Sequence, residues 1–193
     1  MYAIVKDGAI TATGNIKQLF PNTSFAGGVA NADFKTAEGV VDIVQGERKD
    51  QKYYFVTQGN VELVDGVPTQ QYTNTAKRLN DEDAKDNDGN QLYVQVWDED
   101  TNKMVDTSEK IISQGLKTII TTEVKEIANT RLAPTDWMVI RKYERDVAIP
   151  SATATYRAAV ITECARLETA IGNASDVDAL ASVMAGQDWP KED

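Results

Sequence analysis

The sequence predicts an α+β chain, with an antiparallel β-rich N-terminal half and a helical C-terminal half containing one long amphipathic helix. Short apolar runs alternate with polar residues through the first half, and Asp7-Gly8, Gly59-Asn60 and Asp65-Gly66 punctuate them as turns. Farther on, apolar residues recur at spacings of three and four, the period of a helix with one buried face. We place the halves at residues 1–100 and 105–193.

In the first half, residues 2–5 and 9–12 flank Asp7-Gly8 as a hairpin. Asn15 is placed to cap a helical turn that puts Ile16, Leu19 and Phe20 on one face and stops at Pro21, and residues 22–28 follow as loop. From 39 to 79 the pattern is strand, turn, strand, with breaks at Gln58-Gly59-Asn60 and Asp65-Gly66, which predicts an antiparallel meander. Residues 80–90 are almost wholly polar and form the expected boundary, followed by one more alternating strand at 92–97.

The helical half is expected to open near Thr107 or Ser108, either of which can cap. Over 109–132, Ile112, Leu116, Ile120, Val124 and Ile127 share a face that Ile111 and Ile119 widen. Such a face can pack on its own chain or self-associate as a coiled coil. Pro134 ends this helix, and Trp137 to Arg145 forms a short one capped by Thr135 or Asp136. After Pro150 a strong helix over 152–171 carries Tyr156, Ala159, Val160, Cys164, Leu167 and Ile171 on one side. A last helix from Ser175-Asp176 to Ala185 precedes the terminal Asp188-Trp189-Pro190.

Composition narrows the chemistry. The chain has no histidine, which removes Ser-His-Asp and Cys-His mechanisms together with the commonest transition-metal ligand. A single cysteine, Cys164, rules out an intrachain disulfide and reads as a small buried hydrophobe. A net charge of -10 repels phosphate backbones and anionic lipid, so neither nucleic acid nor a membrane is an expected partner. No apolar run approaches the ~20 residues of a membrane span, and the first residues lack a signal-peptide pattern.

Asp86-Asn87-Asp88-Gly89 resembles half a calcium loop. In that frame the first and twelfth ligand positions fall on Ala84 and Gln95, which cannot supply the carboxylates, so a solvated linker or hairpin tip is expected. No nucleotide loop follows Gly27-Gly28. The expected protein is therefore not an enzyme and has no catalytic, cofactor or metal residues. A carboxylate-based hydrolase is the remaining enzymatic alternative, since it needs only Asp and Glu.

Residues 131–193 carry a resemblance. Arg131-Leu132-Ala133-Pro134-Thr135-Asp136-Trp137, then Arg141-Lys142-Tyr143-Glu144, Ile149-Pro150, Tyr156-Arg157 within a helix, and the closing Trp189-Pro190 resemble a C-terminal module of tailed-bacteriophage tail proteins. Tail-fibre assembly chaperones and related small virion proteins are among these. The resemblance covers about one third of the chain and implies a protein that binds a tail fibre, with the host cytoplasm during assembly or the virion tail as its location. It assigns Trp137, Arg141, Tyr156 and Arg157 to a helical scaffold or partner surface, and Trp189 and Pro190 to the partner. A permanent fibre-base or baseplate adaptor is the alternative, with self-association through the helix expected at 109–132.

Overall fold

Asp7 and Gly8 both hold positive φ, 53° and 72°, as a type I′ turn demands. They turn β1 (Tyr2–Lys6) into β2 (Ala9–Gly14) as the sequence predicts. The computed structural model describes residues 1–191, apart from the side chain of Ala26. These fall into two units that meet between Ala76 and Lys77, earlier than the 100–105 stretch chosen from sequence.

In the first unit Asn15 caps α1 (Ile16–Leu19) through a reciprocal box, its side chain accepting from the Gln18 amide while Gln18 accepts from the Asn15 amide. A second short helix, α2 (Ala32–Glu38), is capped by Asn31 and closed by Gly39 at φ 68°; the sequence reading did not find it. β3 (Val40–Asp42) pairs with β1, giving the order β2-β1-β3. Ile16, Ala30 and Val40 form the core, and Phe34 meets the rings of Phe20 and Phe25 edge-on at 4.9 Å each.

The predicted meander is instead a mixed sheet of order β4-β6-β5. β4 (Val44–Gln45) runs parallel to β6 (Val67–Ala76), which pairs antiparallel with β5 (Tyr54–Val64) around the Asp65-Gly66 turn. Gln58-Gly59-Asn60 is not a break but an irregularity inside β5. Gln70, only 4% exposed, fills it by donating to the Gly59 carbonyl at 2.6 Å and accepting from Gln58 at 2.8 Å. Glycine and asparagine mark a bulge here because a buried amide satisfies the backbone that the bulge leaves unpaired.

In the second unit the expected helix start at 109 is strand. β7 (Glu82–Asp83), β8 (Tyr93–Asp98), β9 (Lys103–Lys110) and β10 (Ile112–Ser113) occupy this region. A ring of backbone hydrogen bonds joins them: Ala84 donates to Ile111, Ile111 to Leu92, and Leu92 to Ala84. Ile111 and Ile112 thus belong to a sheet, and α3 (Leu116–Leu132) begins at Gly115. Two of its leading amides are satisfied across the fold, Leu116 donating to the Arg78 carbonyl and Lys117 to that of Leu79. Residue 115 must be small, since a Cβ there would lie 2.4 Å from the Asn80 carbonyl.

Leu116, Ile120, Val124 and Ala128 form the buried stripe of α3, which packs on α5 (Ser151–Asn173). The helices run in opposite directions, because Lys117 reaches the Gly172 carbonyl at one end and Arg157 the Leu132 carbonyl at the other. α6 (Val177–Ala185), capped by Asp176, adds Leu180 and Met184 to this core. Of the two uses the sequence left open for this stripe, packing within the chain is the one observed, and Ile119, expected to widen it, is 41% exposed. No helix among the described residues is long and apolar enough to cross a membrane.

Candidate protein-binding surfaces

Pro134 cannot donate a backbone hydrogen bond, so α3 ends in a short 3-10 turn, Ala133–Thr135. Within that turn the Thr135 hydroxyl donates to the Leu132 carbonyl at 3.0 Å. Arg157 of α5 joins this pair: its Nη1 donates to that carbonyl at 2.8 Å and to the Thr135 hydroxyl at 2.6 Å. Its Nη2 pairs with Asp136 at 2.9 Å. The Arg157 side chain is 14% exposed, so one guanidinium fork joins the end of α3, the turn and the start of α4 (Asp136–Arg145).

α4 leaves that joint with none of its residues buried. Trp137 is 52% exposed, Ile140 57% and Tyr143 92%, three residues apart and so on neighbouring positions of the helix surface. Arg141 lies over the Trp137 ring at 4.7 Å, with its Nε buried and unpartnered among the described residues. Asp146 in the left-handed region, φ 53°, stops the helix. Of the residues assigned to a helical scaffold or partner surface, Trp137 is exposed and Arg141 half-buried against its ring, so neither forms the joint between the helices. Arg157 forms that joint, with Tyr156 half-buried beside it in sequence.

The terminal aromatic is also placed differently from expectation. Trp189 and Pro190 are half-buried on their own chain, where Arg131 stacks on the Trp189 ring at 5.4 Å and donates to the Pro190 carbonyl at 3.1 Å. Glu163, 8% exposed, anchors the same segment. It accepts two bonds from Arg166 and one from the Asp188 amide, all at 2.7 Å, and Arg166 also donates to the Gly186 carbonyl. A buried Glu in an apolar stripe has no signal in sequence, because its partner amide lies on a different element.

These bonds, Arg166 first and the Asp188 amide second, outweigh burial and hold the Glu163 carboxyl below the ordinary glutamate value. A depressed folded-state value means that the unfolded chain binds the proton more tightly. The stabilisation is therefore fully present above about pH 4.3 and is lost as pH falls through the folded value. Glu163→Gln is expected to lower stability near neutral pH by about 2 kcal/mol and to flatten its decline below about pH 5. Urea unfolding followed by circular dichroism across this range checks it; parallel acid profiles for variant and wild type would assign the decline to other groups.

The acidic run at 80–90 is built into the fold. Asp81 accepts from the Gly115 amide at 2.7 Å and the Thr118 hydroxyl at 2.9 Å, so it caps α3 from a distant point in sequence. These bonds, led by that of Gly115, hold its carboxyl below the usual range. Asp86 accepts from the amides of Asp88 and Asn90 and from the Asn90 side chain, so the calcium-like loop uses its carboxylate to fold itself. Cys164 is half-buried and donates to Glu168 at 3.3 Å; burial, with Glu168 beside it, pushes the thiol up and away from reactivity.

β8 and β9 form a two-stranded ribbon that pairs with no further strand among the described residues. Trp97 faces Met104 and Val96 faces Val105 across it, and all four are exposed. The strand was legible from alternation, whereas its partner lay inside the segment read as helix. No protein-family model, curated protein or solved structure matches this chain.

Proposed function

We propose that this chain is a non-enzymatic binding protein of a tailed bacteriophage that docks on a tail fibre, most simply as its assembly chaperone. The supporting observation is α4, which presents Trp137, Ile140 and Tyr143 outward on a helix held by Arg157. Exposed aromatic residues on a fixed helix are typical anchors for a hydrophobic groove on another chain. The same residues lie in the Thr135-Asp136-Trp137 to Tyr156-Arg157 order that resembles the phage tail module. A fibre chain exposes β-rich surface before its copies intertwine, and a bound partner would block edge-to-edge aggregation.

Co-expression with the tail-fibre chain of the same phage, followed by size-exclusion chromatography with mass determination, tests this. The fibre should be soluble only with this protein and co-elute at a fixed ratio. Trp137→Ser with Ile140→Ser should weaken the complex by about a thousandfold while the variant stays folded, since buried anchors of this kind contribute ~2 kcal/mol or more each. A fibre that folds alone and elutes separately would overturn the chaperone reading. A fixed copy number in mature particles would then support the permanent adaptor.

A further inference from the structure

An isolated two-stranded ribbon is marginal in water, because half of its backbone donors and acceptors face outward and it has no third strand to pack against. The β8–β9 ribbon adds apolar load to that instability. Trp97 is 56% exposed and Met104 51% on one face, with Val96 48% and Val105 36% on the other. Its lower end is closed by the ring of bonds through Ala84, Leu92 and Ile111, so the ribbon is firmly based while its upper edges stay open. Natural edges of this kind are usually blunted by lysine, proline or a covering element. Here Lys103 and Lys110 are the only cations on the ribbon, and Lys110 is already paired with Asp83.

The charge of the ribbon decides what fits it. Asp98, Glu99, Asp100, Asp106 and Glu109 lie along the strands and their connecting turn. A second copy would set this acidic surface against itself, and a chain of net charge -10 opposes such pairing. An extended segment bearing Lys or Arg between apolar residues would pair its backbone with the open edge and its cations with these carboxylates.

We infer that the β8–β9 ribbon is a strand-addition site for a basic, extended segment of another protein. The inference goes beyond the fibre-binding reading, for it rests on the ribbon and not on α4. Added as a third strand, the segment supplies the backbone bonds the edge lacks and covers Trp97 and Met104 or Val96 and Val105 with its own side chains. Its affinity comes from the backbone and its selectivity from charge and alternation.

The test uses the full chain and a synthetic peptide of about ten alternating Lys and Val residues, a typical strand length. Amide shifts and hydrogen exchange by NMR should show saturable binding confined to residues 93–110, with one outer edge newly protected. The same peptide N-methylated at every residue has no amide donor on either edge and should lose about tenfold or more in affinity, as should a Glu and Val peptide. Asp106→Lys with Glu109→Lys should weaken the Lys peptide by about tenfold while circular dichroism stays unchanged. Equal binding of the N-methylated peptide would overturn strand pairing, and equal binding of the Glu peptide would overturn the charge assignment. Shifts centred outside 93–110 would overturn the site. Concentration-dependent dimerisation of the protein alone, with the ribbon amides protected, would make the occupant a second copy and also overturn the proposal. The fibre co-elution experiment reads α4, so each reading can fail without the other.

Discussion

Replacing Ile120 with alanine is expected to destabilise the second unit by about 3–4 kcal/mol, as for other fully buried branched residues. Ile120 has no exposed surface and sits midway along the α3 stripe that packs on α5. Removing its outer carbons forfeits their transfer from water and leaves a cavity between two helices whose other contacts hold them apart. The neighbouring Ile119 supplies the control. It is 41% exposed, and Ile119→Ala should change stability by less than about 0.5 kcal/mol. Denaturant unfolding followed by helical circular dichroism measures both. Equal losses at the two positions would contradict the packing of α3 on α5.

Arg157→Met should cost about 2–3 kcal/mol, because it removes two hydrogen bonds to backbone and hydroxyl and one ion pair while keeping the apolar stem. The loss comes chiefly from the Thr135 hydroxyl, which accepts from Arg157, whereas the Leu132 carbonyl keeps its bond from that hydroxyl. Thr135 is 9% exposed, so water cannot readily replace the guanidinium there. Arg157→Lys should recover little of it, since an ammonium cannot make the same fork. Asp136→Asn should cost well under 1 kcal/mol, for the Asp136 side chain is 56% exposed. Thermal and urea unfolding of the three variants gives the order. If Asp136→Asn costs as much as Arg157→Met, the joint is an ion pair and not a helix-end cap.

The positions read correctly from sequence share a property: their structure is set within a few residues. Asp7-Gly8 and Asp65-Gly66 turn because both residues adopt positive φ, which Asp and Gly tolerate. Asn15 and Asp176 cap the helices that follow them through bonds to amides three residues on. Pro134 ends α3 in a 3-10 turn, and Pro150 stands just before the first residue of α5, because a missing donor acts locally. The positions misread depend on partners far away in the chain. Residues 107–113 carry helical spacing, yet Ile111 pairs with Leu92 and Ala84, and β9 is recruited by β8. Gly59-Asn60 carries a turn signal, yet the buried Gln70 converts it into a bulge.

The candidate surfaces divide in the same way. The helix at Trp137 and the strand at Trp97 were legible as elements, but their exposure was not, since an apolar residue looks the same in sequence whether covered or bare. Trp189 was expected outside, and Arg131 holds it against the body. The acidic run at 80–90 looked like solvated linker, and Asp81 is the cap of α3.

By itself the sequence determined the α+β class, the two Asp-Gly turns, the local caps of α1 and α6, the missing histidine chemistry and the net acidic charge, because each follows from residue type or from short-range backbone geometry. The tertiary structure alone decided where α3 begins, which face of each element is covered, and which of three tryptophans stand in water. Those outcomes depend on contacts between residues distant in sequence, where burial and backbone pairing outweigh local propensity by several kcal/mol.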